Sequence, residues 1–201
     1  MHKRMNNDEL NPAHLSELTQ DIDRILITEV EINKRIMEIG TQISNDYQGK
    51  NPLMIGVLKG VLFFLADLLR SITIPVEVDF LAVSSYSAEA RNKGVVRLVK
   101  DLDTPIQDRH VLFVEDVVDT GLTLNYLLKN LNMRNPASIQ VCTLFKKEKH
   151  RLISLPLKYV GFELPDRFVV GYGLDFREKY RNLPFVGLLK PYVLAREREG
   201  Y

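Results

Sequence analysis

The chain predicts one α/β domain, a mostly parallel central sheet flanked by helices, and three observations carry that reading. Compact apolar runs at Leu53–Leu58, Val111–Val114 and Ile139–Phe145 have the length of buried strands. Segments of helical period lie among them, with Phe64, Leu65, Leu68 and Leu69 on one face and Leu124, Leu127, Leu128 and Leu131 on another. Strands alternating with helices in this way pair side by side in parallel. At 201 residues the chain suits one such domain with a substantial core and is short for two.

The elements follow in order. Residues 1–14 read as a disordered lead without the apolar core of a signal peptide. Ile22–Ile27 is a short apolar stretch ending at Thr28, where Thr28 and Glu31 have the spacing of a capping box. Ile32, Ile36, Ile39 and Ile43 then mark the buried face of a helix running to about Tyr47, and Gly49, Asn51 and Pro52 break it. After the strand Leu53–Leu58, Lys59-Gly60 begins the next helix. Val76, Val78, Phe80 and Ala82 alternate with Glu77, Asp79 and Leu81, a period-2 strand. Ser84–Gly94 is small, polar and basic without a period, a loop, and Gly94–Val99 returns as a strand. Shorter strands are expected near Tyr159–Phe162, Phe168–Gly171 and Val186–Leu189.

Bulk properties narrow the function. A net charge of +1 offers nothing to a nucleic acid or an anionic membrane surface. No stretch is long and apolar enough to span a bilayer, so cytoplasmic residence is expected. The single cysteine, Cys142, excludes a disulfide framework, suits a reducing compartment and reads as a small core residue.

The segment Val111–Thr123 carries the chemistry. Four apolar residues are followed by Glu115-Asp116, then Val117-Val118, then the turn Asp119-Thr120-Gly121 and a helix beginning near Leu122-Thr123. A buried strand, a glycine turn and a helix N-terminus together hold an anion, because free backbone N–H groups and the helix dipole point there. Carboxylates beside such a site need sugar hydroxyls or a divalent cation between them and the anion. The combination points to a phosphorylated sugar, with magnesium. Its bland alternative is a turn in which Asp119 or Thr120 merely caps the helix.

These thirteen residues resemble the phosphoribosyl-pyrophosphate signature of type I phosphoribosyltransferases. The chain from Ile22 to Leu189 further resembles the hypoxanthine-guanine phosphoribosyltransferases. The resemblance implies that fold, with a small hood built from N- and C-terminal segments, and a homodimer or homotetramer. It implies that Glu115, Asp116, Val117, Val118, Asp119, Thr120, Gly121, Leu122 and Thr123 hold the phosphoribosyl group, with Asp119 as general base.

Val57-Leu58-Lys59-Gly60 matches the family's pyrophosphate loop, in which the peptide between the Lys59 and Gly60 equivalents can be cis. Ser84-Ser85-Tyr86 matches the start of a lid over residues 84–94, with Ser85 and Tyr86 its named members. The basic Arg91 and Lys93 depart from the family pattern there. Lys146, with Lys147 beside it, matches a lysine that donates to the 6-oxo group of a purine. Tyr159–Phe176 is the second long match: Phe168 stacks on the base, Val169 meets its edge through the backbone, and Asp175 takes Mg2+ together with Glu115 and Asp116. Arg181 faces pyrophosphate. The implied reaction joins a purine base to phosphoribosyl pyrophosphate in purine salvage. A xanthine-preferring transferase, a nucleotide-sensing RNA-binding relative and a non-catalytic nucleotide-binding protein are the competing readings. Near-neutral charge and the intact purine-side segment weigh against the second, and Asp119 beside Lys146 weighs against the third.

Overall fold

Thr28 opens the first helix as its spacing predicts. In the computed structural model, which describes residues 18–84, 97–147 and 155–195, strand β1 (Ile22–Ile27) leads directly into α1 (Glu29–Asp46). Glu31 donates its N–H to Thr28 Oγ1 at 3.3 Å, and its own carboxylate receives the Thr28 N–H at 2.8 Å. Two of the orphan donors at a helix start are thereby satisfied. Ile32, Ile36, Ile39 and Ile43 form the buried stripe.

Strand β2 (Leu53–Leu58) is followed by α2 (Leu62–Ser71), then β3 (Glu77–Ser84) and β4 (Arg97–Lys100). The helix starts at Leu62 and not at Lys59-Gly60, which belong to the preceding turn. The signature strand is β5 (His110–Val118), followed by α3 (Leu122–Asn132), β6 (Ser138–Lys147) and β7 (Leu157–Leu164). Strands β8 (Val169–Val170) and β9 (Val186–Leu189) and the short α4 (Pro191–Ala195) complete the described chain. The expected strand Phe168–Gly171 shrinks to two residues because Gly171, at φ +100°, turns the chain away.

Six strands form one sheet in the order β4-β3-β2-β5-β6-β7, parallel throughout except for the antiparallel edge strand β4. From β2 the chain moves outward to β3 and β4, then returns to lay β5 on the other flank of β2. That reversal puts the topological switch point between β2 and β5, and ligand crevices open there at the carboxyl ends of the strands. One face of the sheet packs on Ile36 and Ile39 of α1 and Phe64 and Leu68 of α2. The other packs on the leucine stripe of α3. A three-stranded antiparallel sheet, β1-β9-β8, joins the two chain ends into the expected hood, with its own cluster around Val170, Leu183 and Phe185.

Strand β3 buries the face that carries Asp79 and Leu81 more deeply than the face that carries Val78 and Phe80. Asp79 is 5% exposed while Val78 is 39% exposed. The Asp79 carboxylate accepts N–H groups from Phe80, Asp103 and Thr104 at 2.7–2.9 Å and meets Lys100 at 3.4 Å. Burial pushes its acidity the other way, but these partners hold it below the usual carboxylate range. Cys142 is a fully buried core residue, as read from the sequence. Among the described residues no helix is long and apolar enough to cross a membrane. Residues 1–14 and 94–96 lie outside the described residues.

Candidate active site

Strand β5 enters the site from the densest part of the core. Val111 to Val114 are fully buried, which fixes the height at which Glu115 and Asp116 emerge. Each residue keeps some exposed surface, yet Glu115 Oε2 is buried and finds no partner among the described residues. Burial, with the neighbouring Asp116 carboxylate second, pushes Glu115 well above the ordinary carboxyl range. Asp116 Oδ1 accepts the Val117 N–H at 2.8 Å. Its pKa is pushed up to about 6: burial raises it, backbone N–H bonds and Arg181 oppose, and Asp175 adds to the rise. Carboxyls shielded in this way suit positive charge or hydroxyl donors beside them.

Beyond Val118 the chain turns through Asp119, Thr120 and Gly121. Gly121 sits at φ +79°, in the left-handed region that suits glycine, and is itself the N-cap of α3. No side chain caps the helix, so neither Asp119 nor Thr120 is a capping residue. Only the Leu122 N–H leans on Thr120 Oγ1, at 3.4 Å. A cavity of about 340 Å³ opens over this turn, lined by Glu115 through Gly121 with Thr123 and Leu124. Leu122 does not line it. An uncapped helix start beneath a polar cavity is an anion seat.

The β2 turn and residues 171–181 pack beside Asp116. The cis peptide lies between Leu58 and Lys59, one bond earlier than the resemblance implied. Gly60 is packed so closely that a Cβ there would overlap the Asp116 carboxylate. Gly173, at φ +94°, rests in turn on the Gly60 carbonyl, where a side chain would collide. Arg181 Nη1 donates to the Gly173 carbonyl at 2.8 Å, and Nη2 meets Asp175 Oδ1 at 2.9 Å and Glu178 Oε1 at 3.3 Å. Lys59 Nζ pairs with Glu178 Oε2 at 3.0 Å. Residues predicted from separate stretches of sequence, Lys59, Gly60, Asp116, Asp175 and Arg181, therefore share one wall.

The adjacent lysines at the end of β6 face different partners. Lys146 turns to Glu163, its register partner on β7, at 2.6 Å. Successive side chains of a strand point to opposite faces, so Lys147 takes the other direction. Its Nζ lies 4.0 Å from Asp119 Oδ2, with the lysine side chain 15% exposed. Lys147 is the lysine that faces the candidate base. Phe168 is 46% exposed and stands edge-to-face on Phe176 at 5.4 Å, which leaves an aromatic surface toward solvent. Val169 is buried and paired to Leu188 in the hood sheet. Ser85, Tyr86, Arg91 and Lys93, as well as the basic run after Lys147, lie outside the described residues.

The sequence named Lys147 beside Lys146 without choosing its direction, which the strand phase set by Val118 pairing with Lys146 supplies. Glu178 had no signal, because an exposed glutamate in a charged turn looks like any solvated surface residue.

Residues 26–177 match the phosphoribosyl transferase domain family. A hypoxanthine-guanine phosphoribosyltransferase of Mycobacterium tuberculosis is 47% identical over 200 residues, covering 96% of this chain and 99% of that protein. The Bacillus subtilis protein of the same name is 47% identical over 176 residues, covering 88% of this chain and 98% of its own. A crystal structure of a Staphylococcus aureus hypoxanthine phosphoribosyltransferase superimposes with a TM-score of 0.86 at 42% identity, covering 92% of this chain and 98% of that one.

Proposed function

We propose that this chain, which belongs to the phosphoribosyltransferase family, is a purine salvage enzyme that transfers the 5-phosphoribosyl group of phosphoribosyl pyrophosphate to hypoxanthine or guanine, giving IMP or GMP and pyrophosphate. One observation carries the reading. A single cavity joins an uncapped helix start to two shielded carboxyls, with Asp119 at its rim facing Lys147.

The roles follow from what each group can do. Backbone N–H groups from Thr120 to Thr123, with the hydroxyls of Thr120 and Thr123, suit a 5′-phosphate. Glu115 and Asp116 suit ribose hydroxyls, which donate to carboxylate oxygens. Lys59, the Gly60 backbone and Arg181 suit the pyrophosphate, with Arg181 presenting a planar fork. Lys147 donates to a 6-oxo group, where adenine would present its own donors and leave both sides unpaired. Phe168 supplies a stacking surface. The transition state resembles an oxocarbenium ion, so catalysis consists of aligning base and sugar and stabilising the departing charge. Asp119 accepts or stabilises the N7 proton of the purine.

The donors also fit magnesium. Glu115 Oε2 is a buried oxygen without a partner among the described residues, and Asp116 is a hard oxygen donor beside it. No group of three such ligands gathers among the described residues, which suits an ion that takes one or two carboxylates and completes its shell with substrate oxygens and water. One or two of Glu115, Asp116 and Asp175 would hold it, and bound there it would screen the pyrophosphate and make it a better leaving group.

Self-association as a dimer or tetramer is supported by apolar side chains left exposed on α1 and α2, among them Met37, Leu62 and Phe63. A lone buried cysteine supports cytoplasmic residence. The decisive assay is turnover of phosphoribosyl pyrophosphate with hypoxanthine, guanine, xanthine and adenine, with and without magnesium. Magnesium-dependent use of hypoxanthine and guanine, with adenine rejected, is expected. Adenine turned over as well as hypoxanthine would overturn the assignment.

A further inference from the structure

Glu178 occupies the place where an anion belongs. Its two carboxylate oxygens are divided between the two cations of the pyrophosphate wall, Oε2 on Lys59 Nζ at 3.0 Å and Oε1 on Arg181 Nη2 at 3.3 Å. This is the pattern a bridging phosphate would make. For Lys59 it is the one ion pair among the described residues.

The pairing does little for the fold. The side chains of Lys59 and Glu178 are 69% and 64% exposed, and exposed ion pairs contribute little to stability. Yet the backbone is bent to hold Glu178 there. Phe176 and Lys179 exchange both backbone hydrogen bonds at 3.1 Å around a two-residue turn. Both central residues, Arg177 at φ +53° and Glu178 at φ +61°, adopt the left-handed conformation that glycine and asparagine normally supply. The Glu178 N–H is tied to Asp175 Oδ2 at 2.9 Å, which aims its side chain back across the site. Non-glycine residues held in this region cluster where function requires a particular direction.

We propose that Glu178 is a built-in stand-in for pyrophosphate: it neutralises Lys59 and Arg181 while the site is empty, yields them to the pyrophosphoryl group of the substrate, and takes them back as the product leaves. This rests on the reading of Lys59 and Arg181 as pyrophosphate ligands. Glu178 is a positioning residue that competes with the anion and touches no reacting atom. Its exposure makes the exchange possible, because an exposed carboxylate swings into water at little cost, whereas a buried one would not. Arg181 Nη2 also meets Asp175 Oδ1 at 2.9 Å, so Glu178 is the exchangeable part of the compensation. The consequence is weaker binding of pyrophosphate than the same wall without Glu178 would give, and hence faster release.

Glu178→Gln keeps the size and removes the charge, and Glu178→Ala removes the side chain. Inorganic pyrophosphate should bind either variant about three- to tenfold more tightly than the wild type by calorimetry in magnesium buffer. That gain should shrink as salt is raised from about 50 mM toward ~500 mM, since the competition is electrostatic. KM for phosphoribosyl pyrophosphate should fall in step, with kcat unchanged or lower as release slows. Unchanged or weaker pyrophosphate binding in both variants would overturn the proposal and make Glu178 an organiser of Arg181. If the wild type itself neither binds pyrophosphate nor forms IMP, the proposed reaction fails with it. If the wild type does both and the variants match it, the stand-in alone fails.

Discussion

The adjacent lysines at the end of β6 offer the sharpest test, because sequence resemblance and strand geometry choose differently between them. Lys147 faces Asp119 at 4.0 Å with its side chain 15% exposed, whereas Lys146 pairs with Glu163 at 2.6 Å. Glu163 is 61% exposed and the Lys146 side chain 19%, so the two lysines are similarly shielded and differ in what they face. Replacing Lys147 with Ala removes a charged donor from the proposed purine site. A hydrogen bond to a charged group contributes about 1.5–3 kcal/mol. At about 1.36 kcal/mol per factor of ten, that becomes a loss of roughly 10- to 160-fold in kcat/KM for hypoxanthine. Selectivity against adenine should fall with it, because the unpaired donor that rejects the amino group is gone. Replacing Lys146 with Ala breaks a pair that faces Glu163 and not Asp119, so kcat/KM should stay within about fivefold of wild type. Steady-state kinetics with hypoxanthine, guanine and adenine on the two variants decide the matter. A larger loss from Lys146 than from Lys147 would refute the strand-phase argument and restore the register implied by resemblance.

Further expectations concern the other wall and the turn. Asp119→Asn should lower kcat by about 10²-fold or more while phosphoribosyl pyrophosphate still binds, since Asn keeps the turn but accepts no proton; wild-type turnover would reduce Asp119 to a turn residue. Thr123→Val should weaken phosphoribosyl pyrophosphate binding by about 1 kcal/mol, several-fold in KM, because one hydroxyl donor beside the phosphate is lost. Gly60→Ala drives a methyl group into the Asp116 carboxylate; activity should collapse, with stability reduced by about 1–3 kcal/mol in thermal unfolding. The ligand-free protein should also lose stability as pH rises from about 4 to about 6. Asp116 titrates near 6 when folded against an ordinary value of 3.8, so the folded state holds the extra proton across that window and its advantage disappears above it. Asp116→Asn should flatten that slope and raise stability at about pH 7 by on the order of 2 kcal/mol, measured by urea unfolding.

Much of this was legible because the decisive signals are local. The capping box at Thr28 and the leucine stripe of α3 each depend on residues within a few helical turns, and periodicity reports them directly. The Glu115–Thr123 segment was legible as a site for the same reason, since strand, turn and helix start are contiguous. Strand β3 read correctly as a strand but not as to its faces. Asp79 is buried because backbone donors arrive from Asp103 and Thr104, which no pattern within β3 announces. The choice between Lys146 and Lys147 depends on the phase of β6 against β5 and β7, a tertiary property. The left-handed turn at Arg177 and Glu178 was invisible, because its sequence lacks the glycine or asparagine that would advertise it.

The glycine contacts explain how such a site holds together without being stable in itself. Glu115 and Asp116 are carboxyls shielded from water, and shielding charge is unfavourable until a cation or hydroxyl arrives. Gly60 lies against Asp116, Gly173 lies against Gly60, and Arg181 donates to Gly173. Three chain segments far apart in sequence are thus locked in close contact, with Asp116 at one end of the stack and Arg181 at the other. Side chains at either glycine would push the cation wall away from the β5 carboxyls and widen the gap that substrate must bridge. Close packing therefore supplies the rigidity that the carboxyls remove, and the substrate's own charges complete what packing leaves unfavourable. On this account the site should gain stability when pyrophosphate and magnesium bind together. That gain should be smaller in Gly173→Ala, whose β-carbon displaces the Gly60 carbonyl, even at ligand concentrations that saturate both proteins.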